Sequence, residues 1–284
     1  MKSSLSSTPS LYVVATPLGN LADITLRALD VLRQVDVVAT EDTRHTQRLL
    51  DAHGIQARTM AAHEHNEQAV AARICELLAA GKPVALVSDA GTPAVSDPGA
   101  RIVAAVQAAG LPVVPVPGPS AVTAAVSACG LPDGPFLFHG FLPPKAAARR
   151  TTLTNLREAP ARLVFYEAPH RVRETIDDLL AILGPAREIV VCRELTKLFE
   201  QICRMPLAEA GAWFDDDANR LRGEFVLVVS APPPLEGIPP EAERVLGLLL
   251  AEMPLKQAAG LAAEITGVGR KLLYQRALEL KDGD

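Results

Sequence analysis

Short apolar runs alternate with longer amphipathic stretches through the first half of the chain. "LYVVAT" (11–16), "VDVVAT" (35–40), "PVALVSD" (83–89) and "PVVPV" (112–116) hold few polar residues, which predicts buried strands. Between the first two, Ile24, Leu26, Leu29 and Leu32 give one broad apolar face, predicting a helix around Ala22–Arg33. Further helices are expected near Arg44–Ala52, around Glu67–Ala80 and from "ARIVAAVQAAG" (100–110), and "PVVPV" enters "PGPSAVTAAVSACG" (117–130). Strand–helix–strand spacing of this length permits crossovers rather than hairpins, so a mainly parallel, doubly wound sheet is expected.

The pattern changes near "LPDG" (131–134). Downstream come strands at "FLFHGF", "RLVFYE", "EIVVCRE", "FEQICRM" and "GEFVLVV", with helices over Ala146–Arg157 and His170–Leu183. The adjacent strands within 188–204 have no helix between them, which predicts antiparallel pairing in a second, mixed α/β domain. "APPPLEGIPP" (231–240) reads as a linker. The division expected is a flexible tail at 1–10, α/β domains at 11–132 and 133–231, a linker at 232–240 and a helical tail at 241–284. In that tail, "TGVG" separates the last two of three short helices. It is either a helix-turn-helix or a small cap burying Leu261, Ile265, Leu272 and Leu273.

Charge narrows the possible partners. The 28 Lys and Arg against 33 Asp and Glu leave a formal charge of -5, so no global field draws polyanions and any nucleic-acid contact must be a local basic patch. Four scattered cysteines without C-x-x-C spacing disfavour zinc. "HEH" (63–65) sets His63 and His65 only two apart, a solvated helix start rather than a metal site. The polar start "MKSSLSSTPS" is not a signal peptide, and no apolar stretch suits a membrane span. A reducing, cytoplasmic setting is expected.

Four loops at predicted strand ends carry the candidate chemistry: "ATPLGNLADIT" (15–25), "ATEDTRHT" (39–46), "SDAGTPAVSDPG" (88–99) and "PGPSAVTAAVSACGLP" (117–132). The third lacks the lysine of a phosphate-binding loop and the glycine spacing of a dinucleotide fingerprint. With "FYEAPHRV" (165–172) and "GEFVLVV" (223–229), these loops resemble the tetrapyrrole methylase-like family of S-adenosylmethionine enzymes. Within that family the similarity is to the branch that methylates a cytidine 2′-hydroxyl in the decoding region of small-subunit ribosomal RNA. It runs from about Leu11 to the end of the chain.

The resemblance implies two α/β domains of the tetrapyrrole methylase type, with S-adenosyl-L-methionine between them, a helical tail and a homodimer. Carried over by position, the cofactor contacts are Pro17 and Leu18, then Gly91, Thr92, Pro93 and Val95, then Ser120 and Ala121, with Tyr166 and Pro169 closing over the adenosine. Thr92 departs from the pattern, since many relatives carry aspartate there. Ser120 either caps its helix or meets the methionine end. A cofactor without phosphate needs no lysine in the loop, only close backbone approach at Gly91 and a rigid turn at Pro93 and Pro98.

Methyl transfer to a ribose hydroxyl calls for alignment and a positioned base. Candidates are Glu41 and Asp42, with Arg44 beside them, then Asp89, Asp97, Glu167 and His170. The adjacent acids Glu41 and Asp42 lead, with "EDTR" as an ion-paired brace the competing reading. Asp97, ahead of Pro98 and a helix, is expected to be an N-cap. RNA contact is expected from Lys145, Arg149, Arg150 and Arg171, extended by Arg173, Arg270, Lys271 and Arg276. The competing functions are methylation of a precorrin-type tetrapyrrole and non-catalytic nucleic-acid binding.

Overall fold

The computed structural model describes residues 5–63, 66–233 and 237–282, so His65 and part of the predicted linker lie outside the described residues. Two compact units divide the chain, one ending at Pro232 and one beginning at Pro233. No helix among the described residues is long and apolar enough to cross a membrane.

The first sheet contains β1 (Leu11–Val14), β2 (Val37–Thr40), β3 (Arg58–Ala61), β4 (Val84–Val87) and β5 (Val113–Val116). Its order is β3-β2-β4-β1-β5 and every pairing is parallel. Alternation along the strands feeds two cores. Leu11, Val37, Ala39, Val84 and Leu86 face one layer, while Tyr12, Val14, Val38, Ala85 and Val87 face the other. Helices α1 (Leu26–Gln34), α2 (Thr43–Ala52), α3 (Glu67–Ala79), α4 (Ala100–Ala108) and α5 (Ala121–Ala128) follow in turn.

The second sheet contains β6 (Phe136–Phe141), β7 (Arg162–Glu167), β8 (Glu188–Arg193), β9 (Gln201–Pro206) and β10 (Phe225–Val229), in the order β6-β7-β10-β8-β9. Only β6–β7 is parallel; β8–β9 is the expected antiparallel neighbour pair. Helices α6 (Ala146–Leu156), α7 (Val172–Leu183) and α8 (Leu207–Asp216) accompany it. Leu163, Phe165, Val191 and Leu227 build the core on one face. On the other, Val164, Val190, Val226 and Val228 pack against Val122 and Ala125 of α5. Thus α5, which follows β5 of the first sheet, packs on the second sheet.

Three expectations change. The helix predicted from Ala22 begins at Leu26, because Thr25 is extended and its hydroxyl accepts the Ala28 amide, capping a fresh start after a short 3-10 turn over Leu21–Asp23. Strand β3 went unread because it is an edge strand with no buried residue and so no apolar run. Helix α8 also went unread, starting directly from the end of β9 at Leu207.

The second unit consists of α9 (Pro240–Glu252), α10 (Leu255–Thr266) and α11 (Arg270–Asp282). Its core is Leu246, Ala258, Ala262, Leu273 and Ala277. Gly267, with φ 72°, closes α10 in the left-handed region. Of the residues expected to be buried there, Leu273 is, but Leu261, Ile265 and Leu272 are exposed.

Candidate functional site

The carboxyl ends of β1, β4 and β5 bring three of the quoted loops together, the expected ligand position in an open parallel sheet. Thr16 and Gly91 exchange backbone hydrogen bonds of 2.8 and 3.0 Å, and the Thr16 hydroxyl donates to the Ser88 carbonyl at 3.0 Å. The Thr92 hydroxyl donates to the Pro119 carbonyl at 3.0 Å, tying the third loop to the fourth. At its centre the third loop holds Ala94 and Ser96 at φ 65° and 63°. Such left-handed conformations cost non-glycine residues energy and persist only where surroundings over-determine them. Glu67 supplies part of that constraint: its buried carboxylate accepts the Gly99 amide at 2.6 Å, where α4 has no side-chain cap.

The loops and the second sheet enclose a cleft of about 340 Å³, within the range of small-molecule sites. Of the predicted cofactor residues, Leu18, Gly91, Thr92, Val95, Ser120, Ala121, Tyr166 and Pro169 line it. Pro17 and Pro93 do not; Pro17 faces a neighbouring cavity, and Pro93 is buried. Ser120 stands at the N-cap of α5 but makes no capping hydrogen bond, leaving its hydroxyl directed to other partners. Sequence reasoning missed Phe141, Leu195 and Phe225 as lining residues, which the second sheet contributes by its fold alone. Phe141 packs edge-on to Tyr166 at 5.6 Å between ring centres. Burial pushes the Tyr166 phenol up to about 12, with the Val122 amide opposing and Asp97 adding to the rise, so it is a donor at neutral pH.

Among the described residues no Lys, Arg or His lines this cleft, whereas Asp97, Glu167 and Glu224 do. A polyphosphate would meet only like charge. A small cationic ligand with an aromatic portion meets carboxylates, apolar walls and the first amides of α5. S-adenosylmethionine, with its sulfonium and ammonium charges and no phosphate, fits that donor set.

The acids redistribute relative to expectation. Asp42 is the N-cap of α2, accepting the amides of Arg44 at 2.8 Å and His45 at 3.3 Å. Those backbone bonds hold its carboxyl below the ordinary range, which makes it a poor base. Its own amide donates to Asp89 at 3.1 Å. The brace expected in "EDTR" is therefore built from the Arg44 amide; the exposed Arg44 guanidinium forms no salt bridge among the described residues. Asp97, expected to cap α4, does not: Gly99 is the N-cap and Asp97 lines the cleft. Burial, then like charge from Glu41 and Asp89, pushes its carboxyl up to about 6, with the Ser88 hydroxyl opposing. Glu167 is an internal brace instead. It is buried and accepts from Thr175 at 2.6 Å and the Ala168 amide at 2.8 Å. His170 is exposed and outside the cleft.

The basic segment is also revised. Arg149, expected on an RNA-facing surface, is 2% exposed and bonds Asp178 at 2.6 Å. Burial would raise the Asp178 carboxyl, but hydrogen bonds from Arg150 and Arg149 outweigh it and hold the group low. Arg171 turns inward to the Leu142 carbonyl at 2.6 Å and to Glu167. Arg173 is committed to Asp215 and Asp177, and Arg276 to Glu243 and Glu279. Lys145 and Arg150 remain exposed on α6 and its cap, as do Arg270 and Lys271 at the start of α11.

Comparison with known proteins agrees with this architecture. The family described as Tetrapyrrole (Corrin/Porphyrin) Methylases matches residues 10–211, and the RsmI C-terminal HTH domain matches residues 236–281. The chain belongs to the tetrapyrrole methylase family. It is 54% identical to ribosomal RNA small subunit methyltransferase I of Pseudomonas aeruginosa over 276 residues, covering 96% of this chain and 98% of that one. Among solved structures it resembles a cobalamin biosynthetic enzyme, cobalt precorrin-4 methyltransferase, at TM-score 0.59 and 18% identity over 78% of this chain and 94% of that one. It also resembles uroporphyrin-III C-methyl transferase from Thermus thermophilus complexed with S-adenyl homocysteine, at TM-score 0.55 and 18% identity over 78% and 97% of the two chains. At these identities the structural likeness is one of fold.

Proposed function

We propose that the protein is an S-adenosylmethionine-dependent methyltransferase of small-subunit ribosomal RNA, acting on a cytidine 2′-hydroxyl in the decoding region, with Asp97 as the proton acceptor. The observation that carries the cofactor assignment is the lining of the cleft, which among the described residues has apolar and aromatic walls, the Asp97 carboxylate and no cationic side chain, Glu167 and Glu224 being paired with Arg171 and Lys197. The similarity to a ribosomal RNA methyltransferase over nearly the whole chain supports the substrate class. The helix-turn-helix match supports RNA over a tetrapyrrole.

The bound cofactor would supply an electrophilic methyl group, whose transfer leaves a neutral thioether. The chain's own residues do the rest. Ser120 and the first amides of α5 are placed to hold a carboxylate, and Tyr166, Phe141 and Leu18 to hold an aromatic base. Asp97 takes the hydroxyl proton as the ribose oxygen forms its new bond to carbon. Its titration near neutrality suits a base that must be ionised yet accept a proton. Lys145 is the remaining phosphate contact on the second sheet's side, Arg150 being exposed but bonded to Asp178. A homodimer belongs to the same reading, and Leu198 and Phe199, exposed at 90% and 67%, are apolar surface a second copy would cover.

The test supplies methyl-labelled cofactor to isolated small-subunit RNA, to small subunits and to a tetrapyrrole precursor. Label on a cytidine ribose is expected. Label in none, or only in the tetrapyrrole, would overturn the reading.

A further inference from the structure

Beside the cleft lies a second cavity of about 590 Å³. The two share Leu18, Ala90 and Glu224, so the strand-end loops form their common wall. Their charges differ. Where the first has no cation among the described residues, the second is lined by His45 and Arg48 of α2 and by Lys197 from the turn between β8 and β9.

These cations are not equivalent. Lys197 bonds Glu194 and Glu224 at 2.9 Å each, so its charge is spent. Its stem lies on Gly19, where an added Cβ would collide with the Lys197 chain. The turn carrying it holds Glu194 and Thr196 at φ 50° and 67°, conformations kept by non-glycine residues only under firm constraint. Lys197 is therefore a fixed, neutralised wall. Arg48, also on the lining, is exposed and has no carboxylate in salt-bridge range among the described residues, and neither has Arg44 one turn earlier. The acid on this side, Asp89, is engaged by the Asp42 amide.

An unspent guanidinium and an imidazole on one helix of a cavity whose lysine is already neutralised suit a single phosphate rather than a metal ion or a second cofactor. We propose that this cavity receives a backbone phosphate of the acceptor RNA, with Arg48 as its main ligand and His45 as a second donor. The inference rests on the methyl-transfer reading above. It adds a docking point for the nucleotide whose sugar meets Asp97: the phosphate enters by the second cavity and the ribose lies at the shared wall of Leu18 and Ala90.

The experiment measures binding of a labelled short single-stranded RNA to the full chain loaded with S-adenosylhomocysteine, across a salt series. Inorganic phosphate serves as competitor, and cofactor affinity is read separately by calorimetry. Arg48→Glu is expected to weaken RNA binding at least about tenfold, and Arg48→Ala to flatten the salt slope by about one. Arg73→Glu, an equal charge change on α3, should leave binding unaltered. Cofactor affinity should stay within about twofold in all three. Equal RNA affinity for Arg48→Glu and wild type, equal losses for Arg48→Glu and Arg73→Glu, or no RNA binding by the wild type would each overturn the proposal. So would displacement of RNA by inorganic phosphate at a concentration no higher than that of the RNA. Methyl transfer to small subunits is assayed in parallel. Transfer that persists with unaltered RNA binding in Arg48→Glu sinks this site alone, whereas no transfer to any RNA sinks the reaction.

Discussion

Asp97 and Arg149 are both charged side chains withdrawn from bulk water, one facing a cleft and one between α6 and α7. Arg149 has a carboxylate at 2.6 Å in Asp178, itself shared with Arg150. Asp97 has only like charges nearby, Glu41 and Asp89, and its carboxyl is pushed up to about 6. A buried charge with its partner supplied is part of the scaffold. A carboxylate kept near neutrality without one is an unrelieved cost, and such costs concentrate where chemistry is done. Sequence reasoning assigned the two the other way round, Asp97 to a helix cap and Arg149 to a binding surface.

That contrast can be broken first at Asp97. Asp97→Asn keeps shape and removes the base, so methyl transfer should fall by about 10²–10⁴ with cofactor affinity retained. Single-turnover transfer and calorimetry together check this, and a loss of less than tenfold would return Asp97 to the scaffold. Next is Arg149→Ala, which removes the buried one of the two guanidinium partners of Asp178 and leaves Arg150 as its only cation among the described residues. A loss of roughly 1.5–3 kcal/mol is expected, read by denaturant unfolding; an unchanged midpoint with weakened RNA binding would restore the surface role.

A smaller effect separates the two in the opposite direction. Because the Asp97 carboxyl titrates higher in the folded chain than its ordinary 3.8, the folded state binds more protons between those values, and ionising it costs stability as pH rises. Asp97→Asn should therefore be more stable than wild type above about pH 6 by on the order of 1 kcal/mol, after discounting for solvent screening. The gain should shrink steeply as pH falls toward 4 and vanish below about pH 3, where the carboxyl is protonated in both states. Thermal melts at the two pH values decide it. Least is expected of Thr92→Val, which loses the bond to Pro119 and about 1 kcal/mol.

Much of the fold was legible because strands buried on both faces write unbroken apolar runs, and both sheets' central strands were found this way. The edge strand β3 was not, since its exposed residues leave no run to read. At the site, the glycine- and proline-rich loops marked the cleft, and eight positions carried over by resemblance line it: Leu18, Gly91, Thr92, Val95, Ser120, Ala121, Tyr166 and Pro169. What sequence did not carry was pairing. Whether Asp42 caps a helix, whether Arg171 turns inward and whether Asp97 faces a ligand depend on contacts between residues distant in the chain. Thr92 is the clearest case, because its bond to Pro119 spans 27 residues. That bond gives the hydroxyl a structural role.

The most direct measurement is the pH dependence of single-turnover methyl transfer to small subunits by wild type and Asp97→Asn, from about pH 5 to 8 with saturating cofactor. The wild-type rate should rise about tenfold per unit below an inflection near 6 and level above it, with the variant slow and lacking that inflection. A wild-type profile without that inflection, or a variant that retains it, would contradict the assignment of Asp97 as the base.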